Sequence, residues 1–578
     1  SGEQKVLPAK GGTSRVAAVV VSCVTILPMS GVYAQTAPDA GRLLQEQPKP
    51  PTVSPAPAPG FAPKAPSPIK APAGPSFLLK GVRFSGATLM PDAELQSKIS
   101  PFVGETINFA VLEAIASQLT GYYLQKGYLA RVVVPTQDVR DGVVEMKVVE
   151  GVRGDLRIDK KGRRVDEGRV AAFVDHRLAK GDLFNVFHLD AAIGLLNEQP
   201  GVQAQSSLQQ GAKEAETDVV VSVADKPLLS GAAGLNNHGG RASGEIQAQG
   251  SLTLNNPTGN FDSASLLVNA SEGVSYGRAE YSLAVGGSGL RIGANASYLD
   301  YRLIQNEFAA LDLKGTAQTY GINASYPLVR TPVLALYLSA GYDIKKLVDR
   351  SAALETGNRE VKSGTLGVAG TLLHGLVGLN TQSSFGASLH VGESDQRNAG
   401  ALAQDNATRG VNGGYTKLAF NLGNQGEFSP QWSYIVALRG QFASQNLDSA
   451  ERMSLGGPSG IRAYPGGEAL GDEGWLLNIN LRRSLGDVAR ATFFYDAGGV
   501  RQNRRTWANW NAANPSLENR YTLSGVGAGL DWFLGRNAML SVIVATPVGS
   551  NPGRDVNGNN ADGKNDSMRA WISLNAQF

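Results

Sequence analysis

Residues 228–578 consist almost throughout of short runs in which polar and apolar side chains swap at every position, and this alternation limits the fold more than any other feature. Across 245–254, Ile246, Ala248, Gly250, Leu252 and Leu254 share one face, while Glu245, Gln247, Gln249, Ser251 and Thr253 share the other. Trp475, Leu477, Ile479 and Leu481 oppose Asn478, Asn480 and Arg482 in the same way. A period of two is that of a β-strand with unlike faces. Lipid-facing backbone must be fully paired while a lumen stays wet, so strands of this kind at membrane-spanning length point to a closed antiparallel barrel. At about 10 residues per strand and about as many per turn or loop, the stretch holds about 16 strands.

A soluble sandwich or solenoid also alternates, and the end of the chain argues against both. Met568, Ala570, Ile572, Leu574, Ala576 and Phe578 form one apolar face that finishes on a C-terminal Phe, as in the closing strand of an outer-membrane barrel. No window offers the roughly 20 consecutive apolar residues of a membrane helix. Basic and acidic side chains nearly cancel, 53 against 50, leaving no electrostatic footprint for nucleic acid.

Lys5, Lys10 and Arg15 precede an apolar stretch over 16–27, and Gly31-Val32-Tyr33-Ala34 ends it with a small residue at the cleavage position. The segment 1–34 therefore reads as a secretory signal peptide cut after Ala34. A lipidation box at Cys23 is the rival, but the apolar run continues beyond it to Leu27. Residues 48–75 are dominated by Pro and Ala and form an extended linker. Before it, residues 35–47 hold a capping Asp39 followed by Leu43 and Leu44, enough for about two helical turns. So short a helix melts alone in water; the segment is either a tail or a helix that folds only inside another surface.

From Phe77 to Pro227 the periodicity passes twice through strand, helix, helix, strand, strand, giving two similar α/β modules over 76–152 and 153–227. In the first, 78–84 is β-like, 92–99 and 108–126 are helical, and 131–134 and 143–149 are strands. In the second, 169–178 and 187–197 are helical and 217–223 alternates.

No enzyme signature survives inspection. The five histidines, His176, His188, His238, His374 and His390, lie in segments of different type and no HExxH joins them, so neither a metal nor a cofactor site is expected. Gly525-Val526-Gly527-Ala528-Gly529 looks like a dinucleotide loop but sits inside an alternating segment; its glycines are expected to relieve crowding on the lumen face. There is no catalytic residue to name.

The residues described so far resemble the transporters of two-partner secretion, typified by haemolysin and filamentous-haemagglutinin secretion, within the wider outer-membrane assembly superfamily. Gly127-Tyr128 followed by Val132, Pro135 and Gly142, closing on Val148-Val149-Glu150-Gly151, is similar to the family's first POTRA domain. Leu195-Leu196-Asn197-Glu198-Gln199-Pro200-Gly201 and Thr217-Asp218 are similar to its second. Gly456-Gly457-Pro458-Ser459-Gly460-Ile461-Arg462-Ala463-Tyr464 resembles the VRG[YF] tip of a loop that folds back into the lumen, and Phe494-Tyr495-Asp496-Ala497-Gly498 matches the FxDxG strand. One position departs from the pattern, Ala463 in place of glycine, and it would be strained if its backbone required positive φ.

The resemblance implies two POTRA domains in the periplasm, a barrel of about 16 strands in the outer membrane, and no enzymatic activity. Arg462 and Asp496 would anchor the loop with Tyr464, Phe494 and Gly498 around them; Asp39, Leu43 and Leu44 would belong to a plug helix; Ile572, Leu574 and Phe578 would close the barrel. Gly127, Tyr128, Val132, Val134 and Pro135 would meet the partner, a large secreted exoprotein of the TpsA type with an N-terminal secretion domain. Other expected partners are outer-membrane lipid and, during biogenesis, the barrel assembly machinery; the chain is expected to be monomeric. An assembly factor that inserts other barrels and a passive porin are the rival readings.

Overall fold

The computed structural model describes residues 37–48, 75–139, 141–375 and 379–578. The expected signal peptide and all but the ends of the Pro-rich linker lie outside the described residues.

Sixteen strands, from Leu229–Asn236 to Arg569–Gln577, close into one barrel in which every neighbour is antiparallel. Closure is made by Ser573 to Gln577 against Asn236 to Ala232, and Phe578 exchanges two backbone hydrogen bonds of 3.0 Å with Gly231. The ring of Phe578 lies where a Cβ on Gly231 would stand, 2.5 Å from its Cζ, so the chain end seats only on glycine. Along the strands one parity is exposed and apolar, including Leu252, Ile322, Leu366, Leu389, Ile479, Ile572 and Leu574. Side chains that a soluble sheet would bury are here turned outward, which is the lipid face of a membrane barrel. The opposite parity faces the lumen. Five central strands have 17 to 21 residues, beyond the roughly 9–11 that cross a bilayer, and their hairpins rise above the membrane.

The two N-terminal modules repeat one topology. In the first, the sheet order is Gly81–Ser85, Val143–Glu150, Ala130–Val133; in the second it is Val152–Lys160, Glu216–Asp225, Val202–Gln210. Each first strand runs parallel to the central one and each remaining strand antiparallel to it. Helices Asp92–Ile99 and Phe109–Gln125 cover the first sheet, and Glu167–Arg177 and Val186–Glu198 the second. Asn108, Asp166 and Asn185 start three of these helices by accepting hydrogen bonds from first-turn amides. The strand expected over 78–84 is broken into Ser76–Leu78 and Gly81–Ser85, because the N–H groups of Leu79 and Lys80 turn aside to the carbonyls of Glu105 and Gly142.

The second module is docked onto the barrel turns. Glu198 pairs with Arg330 at 2.6 Å and accepts from the Tyr337 hydroxyl at 2.5 Å. Phe173 meets Phe261 edge to face with centroids 5.5 Å apart. A Cβ on Gly287 would lie 1.9 Å from the Ala172 carbonyl oxygen, so that turn approaches the module as only glycine allows.

Candidate functional site in the barrel lumen

The connection 444–472, between strands Trp432–Ala443 and Glu473–Leu485, folds back into the lumen and brings Arg462 to Asp496. Phe494, Asp496 and Gly498 lie two residues apart on strand Ala489–Arg501 and therefore share its inner face. Asp496 is fully buried and Arg462 is 9% exposed. The Arg462 Nε and Nη2 atoms donate to the two carboxylate oxygens at 2.8 and 2.7 Å, and the Arg462 backbone N–H adds a third bond at 3.0 Å. Asn478 donates to the same carboxylate at 2.7 Å, and the guanidinium also donates to the Asn480 side-chain oxygen at 2.9 Å. Its Cζ stands 3.4 Å from the Phe494 ring centroid. A bidentate pair with both partners otherwise hydrogen-bonded offsets the desolvation of two buried charges.

The surroundings explain why the loop fits. Tyr464 is fully buried among Leu455, Ile461, Ala463, Leu476, Phe494 and Leu523. Gly498 leaves room for Leu455, whose methyl groups would stand 3.2 Å from an added Cβ. Ala463 carries none of the expected strain, because it is not among the described residues with positive φ. Its methyl instead faces Gly525, where a Cβ would come within 2.6 Å, and a Cβ on Gly527 would lie 2.4 Å from Phe494 Cζ. Of the glycines read as relieving crowding in the lumen, Gly525 faces the loop at Ala463, whereas Gly527 makes room for the Phe494 ring. The Trp571 indole donates to the Arg462 carbonyl at 2.8 Å, tying the loop tip to the closing strand.

A second cluster joins the loop to the helix Ala40–Gln45, which lies inside the barrel. Leu43 is buried and Leu44 partly so against Leu299, Leu303 and Leu347 of the barrel. Arg359 meets three carboxylates at 2.7 Å each: Asp39 of the helix, Asp349 of the wall and Asp448 of the loop. Asp39 also caps the helix by accepting from the Arg42 amide at 2.9 Å, and Asp349 accepts from the Ala40 amide at 2.8 Å and the Tyr301 hydroxyl at 2.7 Å. A Cβ on Gly41 would lie 2.2 Å from the Ser449 hydroxyl, so helix and loop meet at a distance that excludes a side chain. Glu451 pairs with Lys345 and, at 2.6 Å, with Lys417; buried Asp472 pairs with Arg452 at 3.0 Å.

Sequence reasoning found Arg462 and Asp496 but missed Arg359, Asp349, Asp448 and Glu451. Their partners come from separate segments of the chain, and nothing local sets Asp349 apart, since Asp343 and Lys345 share its strand and its lumen parity. The residues assigned to partner binding are scattered. Gly127 and Tyr128 sit in the junction of the two modules: the Val186 amide donates to the Gly127 carbonyl at 2.8 Å, and Tyr128 bridges to Asn185. Val132 is in the core of the first module, with Val134 packed against it, and Pro135 follows strand Ala130–Val133 at the surface. No group of three or more His, Cys, Asp or Glu able to hold a metal occurs among the described residues.

Comparison with known proteins agrees with this geometry. Residues 215–532 match the model of the haemolysin secretion/activation protein family ShlB/FhaC/HecB, and residues 77–151 match the ShlB-type POTRA domain. The chain is 25% identical over 496 residues to the heme/hemopexin transporter protein HuxB of Haemophilus influenzae strain 86-028NP, covering 84% of each. It is 26% identical over 424 residues to the hemolysin transporter protein ShlB of Serratia marcescens, covering 70% of this chain and 72% of that one. CdiB from Escherichia coli has the same fold, with a TM-score of 0.70 at 22% identity over 89% of this chain and 92% of that one. A barrel that turns its apolar parity to lipid, an inward-folded loop locked on Asp496 and a ShlB-type POTRA domain place the protein in the outer membrane with that domain in the periplasm. The chain belongs to the ShlB/FhaC/HecB haemolysin secretion/activation family, the non-enzymatic transporters that carry a partner exoprotein to the cell surface in two-partner secretion.

Proposed function

We propose that this transporter is a gated conduit in which residues 76–152 and 153–227 are two POTRA domains, residues 35–47 are a plug, and the loop locked by Arg462 and Asp496 shapes the passage. The observation that carries the gating is the Arg359 cluster, where one guanidinium holds helix, wall and loop together. A helix of six residues does not persist in water, so once detached it leaves no structured obstacle. The repeated sheet topology supports reading the second module as a POTRA domain like the first.

The partner is received in the periplasm as an extended chain, by strand addition to a sheet edge. In the first module both edges are partly occupied by the protein's own helices: Gln96 donates to the Val82 carbonyl at 2.9 Å, and the Val132 amide donates to the Thr120 hydroxyl at 3.0 Å. On strand Val202–Gln210 the cap by Asn197 reaches only Ala204, which favours the stretch beyond it as an acceptor. The sequence has no GxxxxGK[ST] motif, and folding of the partner outside the cell supplies the direction of export. The cargo is a TpsA-type exoprotein; the relatives' names, which mention heme/hemopexin and hemolysin, differ too much to define it further. The protein acts as a monomer and reaches the membrane through the barrel assembly machinery.

Replacing residues 1–75 by another signal peptide is expected to leave export intact and to raise ion conductance in planar bilayers. Conductance equal to that of the full chain would exclude the helix as a plug.

A further inference from the structure

The loop 444–472 is held at more than one place, and the sequence motif accounts only for its tip. There the attachment is one guanidinium on one carboxylate, Arg462 on Asp496. A second attachment is the short turn Ser449–Glu451, started by Asp448, whose side chain accepts from the Ala450 amide at 2.9 Å. Glu451, 2% exposed, stands between two lysines of the barrel wall: Lys345 of strand Leu334–Ser351, and Lys417 of strand Gly413–Ser429 at 2.6 Å. Strands Leu354–His374 and Leu379–Gln396 lie between those two, so the lysines converge on the carboxylate from separate parts of the wall. Lys417 and Gln441 also donate to the Glu451 carbonyl, at 3.2 and 3.1 Å. The same turn carries the helix Ala40–Gln45. Ser449 donates to Asp39 at 2.8 Å, the Gln45 side-chain amide donates to the Ala450 carbonyl, and a Cβ on Gly41 would lie 2.7 Å from the Ala450 nitrogen.

We propose that Glu451, clamped by Lys345 and Lys417, is the positioning residue that seats the helix, through an attachment separate from the Arg462 lock at the loop tip. This deepens the reading of the helix as a plug, on which it rests for its effect on conductance. A six-residue helix has too few internal hydrogen bonds to hold itself, so it persists only on a surface that is itself fixed. The turn beneath it is fixed by charge. Each lysine makes a point contact without the fork of a guanidinium, and two of them converging on one acid repel each other once that acid is neutral. Asp343, two residues from Lys345 on the same lumen face, can take up that lysine. Lys417 pairs with no other acid among the described residues, and a buried cation without its partner no longer supports the turn. None of these contacts reaches Asp496, so the tip stays docked when the clamp opens.

The test is hydrogen exchange on the full chain in nanodiscs, read in one sample at the helix amides of Leu43 and Glu46 and at the tip amides of Ile461 to Tyr464. Glu451→Gln keeps the shape of the side chain and removes its charge. It should speed exchange in the helix by about tenfold or more, leave the tip within about threefold of the wild type, and raise conductance in planar bilayers. Lys417→Met loosens the same clamp from the wall and should show the same split. It takes the place of Glu451→Gln if that barrel fails heat-modifiable migration. Unchanged exchange in the helix, or equal loss of protection at helix and tip, would overturn the seat. Faster exchange in the helix alone, with conductance still that of the wild type, would uphold the seat and remove the plug reading.

Discussion

Arg462→Ala and Asp496→Ala, singly and together, test the loop lock. Asp496 accepts four hydrogen bonds, two from the Arg462 guanidinium, one from the Arg462 amide and one from Asn478. Arg462→Ala leaves the amide and Asn478 but no cation, and a buried carboxylate stripped of its partner costs about 3–5 kcal/mol. The lost stack on Phe494 adds about 1 kcal/mol. Asp496→Ala strands the guanidinium with Asn480 and Phe494 at a similar cost. Because a wet lumen softens both terms, about 3 kcal/mol is expected for each single change, a drop of roughly 150-fold in the docked population of the loop. The double variant leaves no orphan charge and should lose little more than either single, a coupling of about 2–3 kcal/mol. Hydrogen exchange at the amides of Ile461 to Tyr464 in nanodiscs reads this local opening directly, with heat-modifiable migration confirming that the barrel itself has formed. Additive losses would mean that the two residues act independently and that the ion pair does not hold the loop.

Other consequences concern space more than charge. Gly525→Leu should press on Ala463 and undock the loop by about 1–3 kcal/mol with the ion pair chemically intact, and unchanged exchange at Ile461 would contradict it. Ala463→Gly should not stabilise the loop, since no strain exists to relieve; a rise in protection would show that the backbone had been forced. Gly41→Val should expel the helix from beside Ser449 and raise conductance in planar bilayers, whereas a closed channel would mean that the approach is not tight. Residues 76–227 expressed alone should fold, as two separate cores imply, and retain the partner's N-terminal domain; a folded fragment that fails to bind it would move recognition elsewhere.

The barrel was legible because lipid and lumen impose a period of two that survives without knowledge of any contact; Leu252, Ile479 and Leu574 all face outward as their parity requires. The helix Asp92–Ile99 was located to the residue because an acidic first turn and apolar spacing are local signals. Contacts between distant segments were not legible. Nothing near Asp39 in the chain announces Arg359, and nothing near Ala463 announces that the missing glycine is supplied on the neighbouring wall at Gly525. Gly127 and Tyr128 enter as partner-binding residues only through the family resemblance; what the fold adds is that Gly127 takes a φ of 89° where the chain meets the second module, its carbonyl accepting from the Val186 amide and Tyr128 bridging to Asn185. A motif marks where a chain needs particular residues without saying which neighbour needs them.

Export itself is the measurement closest to the central claim. Cells lacking the gene should hold the partner exoprotein in the periplasm; the wild-type gene should restore its appearance outside. Arg462→Ala should fail to restore it even though the variant barrel is present in the outer membrane. Undiminished export in cells without the gene, or full export through a barrel whose loop has been shown to be undocked, would contradict the account of a conduit organised by Arg462 and Asp496.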